Sequence, residues 1–146
     1  MITLAHQPPN LREIALTTVE PFLHYAAYLL LASGLMFAFF QIYTWLTPYD
    51  EVALIRQGNT AAVLSLSGAL IGFTLTLASS IMHTQSYVQF LIWAAAAASV
   101  QLLLFLAISA LLKDTSSQIE GNNTAFGGLI GAISLAVGTI NAACLS

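Results

Sequence analysis

The residues that could do chemistry in this chain are few and far apart. His83 and Cys144 are the most tempting pair, since a thiol beside an imidazole is the core of acyl-transfer catalysis and of soft-metal binding. Either chemistry needs a further group, an orienting carboxylate or more ligands. No carboxylate or second ligand stands near His83 in the sequence, and Cys144 has no second cysteine with which to form a disulfide or a CxxC motif. Catalytic, cofactor and metal residues are therefore all expected to be absent, and the histidines are read as interfacial.

Two side-chain amides, Gln101 and Asn141, fall inside long apolar segments. An amide in hydrocarbon wants a partner, so interhelical bonds are expected of both. A third polar feature is a repeat. Asn59-Thr60-Ala61 returns as Asn123-Thr124-Ala125, each copy following a glycine (Gly58, Gly121) and opening an apolar run, and Gly68-Ala69 returns as Gly131-Ala132. The asparagines suit helix N-caps. Capping does not explain why Thr60 and Thr124 recur with them.

The elements that must position these residues are membrane helices. The chain has 146 residues, 58% hydrophobic and only 6% charged, where a soluble domain carries about 25% charged residues. Three basic residues against six acidic ones exclude a nucleic-acid surface, which needs clustered Lys and Arg. Segments 21–46, 60–82, 88–112 and 124–145 are each long enough to cross a bilayer core, and none contains Asp, Glu, Lys or Arg. The expected fold is an all-α membrane protein with four transmembrane helices. Residues 1–20 form a separate arm: Pro8-Pro9 break the chain, Asn10 caps, and Leu11, Ile14, Ala15 and Val19 recur at the spacing of an amphipathic surface helix. Between the first two spans, Thr47 as N-cap and Pro48 at the first helical position predict a short interfacial helix from Pro48 to Gln57. Lys113 to Asn122 repeats that plan, and His83 to Tyr87 is a tight turn.

Two faces of small residues stand out. Gly127, Gly131, Ser134, Gly138 and Asn141 form one on the last span, and Ala61, Ser65, Gly68 and Gly72 form another on the second. Such faces let helices approach closely in lipid. They are read as packing within one bundle, with a subunit interface or pore lining as the functional alternative. Tyr25, Tyr28, Tyr43 and Trp45 read as interfacial anchors, and Asp50, Glu51 and Glu120 as carboxylates favoured by helix N-termini. The doubled motifs predict a tandem repeat of two-helix hairpins, units about 21–82 and 88–146, related by an axis along the membrane normal. Arg56 and Lys113 against Arg12 put the two longer connections in the cytoplasm and both termini outside.

Several of these stretches carry a resemblance. Leu46-Thr47-Pro48-Tyr49-Asp50-Glu51, Asn59-Thr60-Ala61-Ala62, Gly68 with Gly72, Asn123-Thr124-Ala125-Phe126-Gly127 and Asn141-Ala142-Ala143-Cys144 resemble, in order and spacing, the YjfL family of small bacterial inner-membrane proteins. The likeness runs from about residue 21 to the end, with Phe126 standing where the family pattern has alanine. It implies an inner-membrane protein with four spans, outside termini and envelope-stress proteins as partners. The expected function is that of a non-enzymatic membrane protein that forms homo-oligomers within an envelope or membrane-stress assembly. The alternative is an oligomeric channel or carrier for small solutes or ions, lined by Ser, Thr and Asn, with Asn59 and Asn123 at its entrances.

Overall fold

The computed structural model describes residues 10–145, so the Pro8-Pro9 break lies outside the described residues. Six helices follow in order: α1 (Leu11–Leu46), α2 (Glu51–Arg56), α3 (Thr60–His83), α4 (Tyr87–Leu111), α5 (Thr115–Glu120) and α6 (Thr124–Cys144). The four long helices are apolar and long enough to cross a membrane. The order long, short, long occurs twice.

Side-chain caps set most of the helix starts. Asn10 and Glu13 form a reciprocal capping box at α1. Asp50, Asn59, Ser86 and Asn123 each accept a backbone N–H of the helix they precede. Gly58 adopts a left-handed φ of 83°, which lets the chain turn from α2 into α3. Two sequence expectations change here. Thr47 closes α1 instead of opening α2, because its N–H reaches the Tyr43 carbonyl and its hydroxyl donates to the Thr44 carbonyl. The short helix accordingly starts at Glu51 with Asp50 as its cap. The separate surface helix is also not seen: residues 11–20 are helical but continue through Pro21 into the first span. At about 1.5 Å per residue, the 36 residues of α1 exceed a hydrocarbon core of about 30 Å. The end that carries Arg12, Glu13 and Glu20 therefore projects from it.

Helix α3 is central and packs most closely on α6, running in the same direction. The other helices close around this pair. Phe39, Phe73, Phe90 and Phe105 anchor one core cluster; Tyr49, Ile108, Ile119 and Ile130 anchor a second at the end where α2 and α5 lie. Helix α1 is held at the side by aromatic contacts. Phe39 stacks on Phe73 at 4.3 Å, Tyr28 meets Phe90 edge-on at 5.6 Å, and His24 bonds to the Tyr87 hydroxyl. Tyr43 is thus no interfacial anchor: it is 1% exposed, with its ring 4.8 Å from that of Phe105.

Candidate functional site

The α3–α6 seam brings together most of the residues singled out from the sequence. A β-carbon on Gly68 would overlap the Gly131 backbone, one on Gly127 the Ala61 carbonyl, and one on Gly138 the Gly72 backbone. At Gly72 it would stand 2.7 Å from the Ser134 carbonyl oxygen and 2.9 Å from the Gln101 amide nitrogen. The helices touch backbone to backbone, which only small residues permit. Polar side chains stitch the same line: the Thr76 hydroxyl donates to the Gly138 carbonyl at 3.2 Å, the Ser79 hydroxyl to Ala142 at 2.7 Å, and Gln101 Nε2 to Ser134 at 2.9 Å. Gln101 thus makes the expected interhelical bond, although its Oε1 is buried without a partner. Asn141 does not: its Nδ2 is buried and unpartnered. It stands about one helical turn past Gly138, next to Ala142, whose carbonyl accepts from the Ser79 hydroxyl.

The two asparagine caps differ. Asn59 is buried; its Oδ1 accepts from Ala62 N–H, and its Nδ2 donates across to the Ile119 carbonyl at 2.7 Å. Asn122, with a left-handed φ of 57°, returns the link by accepting the Ala61 N–H at 3.1 Å. Asn123 is exposed and turns back to its own connection, donating to Gln118 Oε1 at 2.7 Å while Oδ1 accepts from Phe126 N–H. Thr60 and Thr124 are both exposed and stand outside this network. The recurrent alanine has a use only once: Ala61 is buried against Gly127, whereas Ala125 is exposed.

His83 and Cys144 line one cavity of about 250 Å³ at the opposite end, with Ser80, Thr84, Trp93 and Leu145. His83 Nδ1 is committed to the Ser79 carbonyl at 2.9 Å, and no carboxylate lines the space among the described residues.

Glu51, expected from the sequence to complement a helix N-terminus, is buried instead. It is 2% exposed, and neither carboxylate oxygen has a hydrogen-bond partner. Asp50 takes the capping role, so Glu51 turns inward on the same side of α2 as Leu54 and Ile55, which pack on the core. The Thr47 hydroxyl beside it is already given to the Thr44 carbonyl. Burial raises the Glu51 carboxyl to about 7, helped by the negative charge of Asp50. Around it stand the Tyr49 hydroxyl, itself buried without a partner, and the Tyr43 hydroxyl, 3.3 Å from the Ser65 hydroxyl. The available signal was the spacing of Glu51 to Leu54 and Ile55, which places a carboxylate on the buried face of a short helix.

Two relatives, both described as UPF0719 inner membrane protein YjfL, come from Escherichia coli (strain K12) and Escherichia coli O157:H7. Each is 34% identical over 128 residues, covering 88% of this chain and 97% of the relative. No solved structure matches. A family model described as Domain of Unknown Function (DUF350) matches residues 17–145. On its four apolar helices, its inner-membrane relatives and the match over residues 17–145, the chain is a multi-pass inner-membrane protein and belongs to the DUF350 family.

Proposed function

We propose that the protein is a non-enzymatic membrane component that self-associates through α1 and serves an envelope or membrane-stress assembly. The small-residue faces of α3 and α6, the first basis for expecting self-association, are used up inside one copy. A glycine-containing face that is left free lies on α1. Gly34 and Ala38, four residues apart, are exposed, and a β-carbon on Gly34 would meet nothing within 4 Å. This free small-xxx-small pair carries the reading, because lipid gives apolar side chains no reason to associate and close packing does. Beside it an open groove of about 600 Å³ runs between α1 and α3, with Ser33 and Thr74 among its lining residues.

Native mass spectrometry from lipid nanodiscs tests the reading. Wild-type protein is expected as an oligomer and Gly34→Leu as a folded monomer, since the substitution meets no neighbour within the copy. Monomer alone in the wild type would end the idea.

The doubled order of helices is read as a tandem repeat of hairpins, supported by the parallel course of α3 and α6. The connections are placed in the cytoplasm and both termini in the periplasm on the charge of Arg56 and Lys113 against Arg12. Residues 11–20, as the projecting end of α1, are assigned to the aqueous boundary of the bilayer. The alternative of an oligomeric channel or carrier draws less support, because the Asn59 and Asn123 side chains serve as caps and links. The non-enzymatic assignment rests on the bare pair His83 and Cys144, which no third titratable residue joins in their cavity.

A further inference from the structure

A buried carboxylate must be neutralised, because its charged form is costly away from water. The chain's three basic residues, Arg12, Arg56 and Lys113, are all exposed, and the Glu51 oxygens, beside the Thr47 hydroxyl, meet no positive charge among the described residues. The remaining neutralisers are a metal cation and a proton. A cation needs space and several oxygen ligands. The cavities of about 600, 250, 220 and 180 Å³ are lined by other residues, no three His, Cys, Asp or Glu among the described residues gather to hold a metal, and the Ser65 and Tyr43 hydroxyls are engaged with each other. A proton needs neither space nor ligands.

We infer that the enclosure around Glu51 is a proton-binding site, in which the carboxylate takes one proton from the aqueous phase when the 47–57 connection docks, and returns it when the connection lifts. The docking is visible in the packing. Tyr49 belongs to the buried cluster of Ala61, Ala62, Ile108, Ile119 and Ile130, and α2 packs against α3, so the connection is seated on the bundle through that cluster. The protonated carboxyl can donate to the Tyr49 hydroxyl, which otherwise lacks a partner. The titratable groups that bear on the site are Asp50 and Tyr49 from the connection, Tyr43 from α1 and, through Tyr49, Glu120 from α5; α3 faces it with Ser65. Burial and the adjacent carboxyl hold the Tyr49 phenol above its ordinary value, so it stays a neutral hydroxyl. None of these groups supplies a positive charge.

The sign follows from the raised value. The docked form binds the proton more tightly than the lifted form, from 4.5 in the open chain to about 7 when docked. Docking is therefore fully supported at acid pH and weakens as pH rises through about 7.

The test is a carbon NMR titration of the full chain in nanodiscs, with its four glutamates labelled at the side-chain carboxyl. One signal is expected to titrate with a midpoint near 7, and it should be missing from Glu51→Gln. No glutamate midpoint above about 6, read in the wild type alone, overturns the site whether or not the variant folds. Amide exchange over residues 51–57, corrected for its intrinsic pH dependence, reads the docking. Protection is expected to fall across the same range in the wild type and stay level in Glu51→Gln. Identical profiles would overturn the link between proton and docking.

Discussion

Gly68 and Gly131 meet backbone to backbone: a β-carbon on Gly68 would overlap the Gly131 carbonyl oxygen, and one on Gly131 would overlap that of Leu64. Neither contact can relax by rotating a side chain. Gly68→Ala and Gly131→Ala are each expected to cost about 3 kcal/mol or more, the upper end for overpacking. Gly128→Ala is the control; its nearest neighbour is a Leu64 methyl at 3.8 Å, and the expected change is within about 0.5 kcal/mol. Unfolding in bicelles decides, and equal losses at all three positions would mean that the helices are not in backbone contact.

The two repeated asparagines should not be equivalent. Asn59→Ala removes a buried cap and its link to the Ile119 carbonyl, which keeps the Asn122 N–H, for about 2 kcal/mol. Asn123→Ala removes an exposed cap and should cost about 0.5–1 kcal/mol. The same unfolding measurement ranks them, and the opposite order would count against the cross-link between hairpins.

Gln101 gains one good bond and carries one unmet oxygen. Gln101→Met keeps the volume and discards both, so a change within about 1 kcal/mol is expected. Gln101→Glu buries a charge beside the Ser134 carbonyl and should be destabilising by about 3 kcal/mol or more at neutral pH. If Gln101→Met proved as harmful as Gln101→Glu, the amide would have a role beyond packing.

Stability should also fall with pH. With Glu51 raised from 4.5 to about 7, the carboxylate form penalises the folded state as pH climbs through that interval. Linkage gives a loss of up to roughly 3 kcal/mol between about pH 4 and about pH 8. Glu51→Gln should be flatter over the range and more stable than wild type at the alkaline end. Parallel curves for the two proteins would contradict it.

The long helices and their asparagine caps were legible in the sequence because lipid imposes length, apolarity and an absence of charge, and each leaves a linear trace. Gly58 and Asn59 could be assigned their turn and cap for the same reason: both jobs are local. What the small-residue faces pack against was not legible, since Gly68 and Gly131 read alike whether they meet each other or a second copy. Thr47 shows the limit at a boundary, where the same residue type can open one helix or close another. Glu51 shows it for burial. A carboxylate beside Asp50 at a helix start looks like dipole complementation, and only the choice of Asp50 as cap sends Glu51 inward. Asn122 went unnoticed because its partner, Ala61, lies 61 residues away.

The seam has a consequence for biogenesis. Asn59 and Ala61 complete their hydrogen bonds with Ile119 and Asn122, and Gly68 finds its neighbour only at Gly131. A nascent chain that has delivered α1 to α3 into the bilayer still lacks both. The first hairpin must wait, half-finished, for the last helix to leave the ribosome. Its exposed α3 glycines are then open to any helix nearby, so wrong pairing during translation is a hazard that ends only with α6.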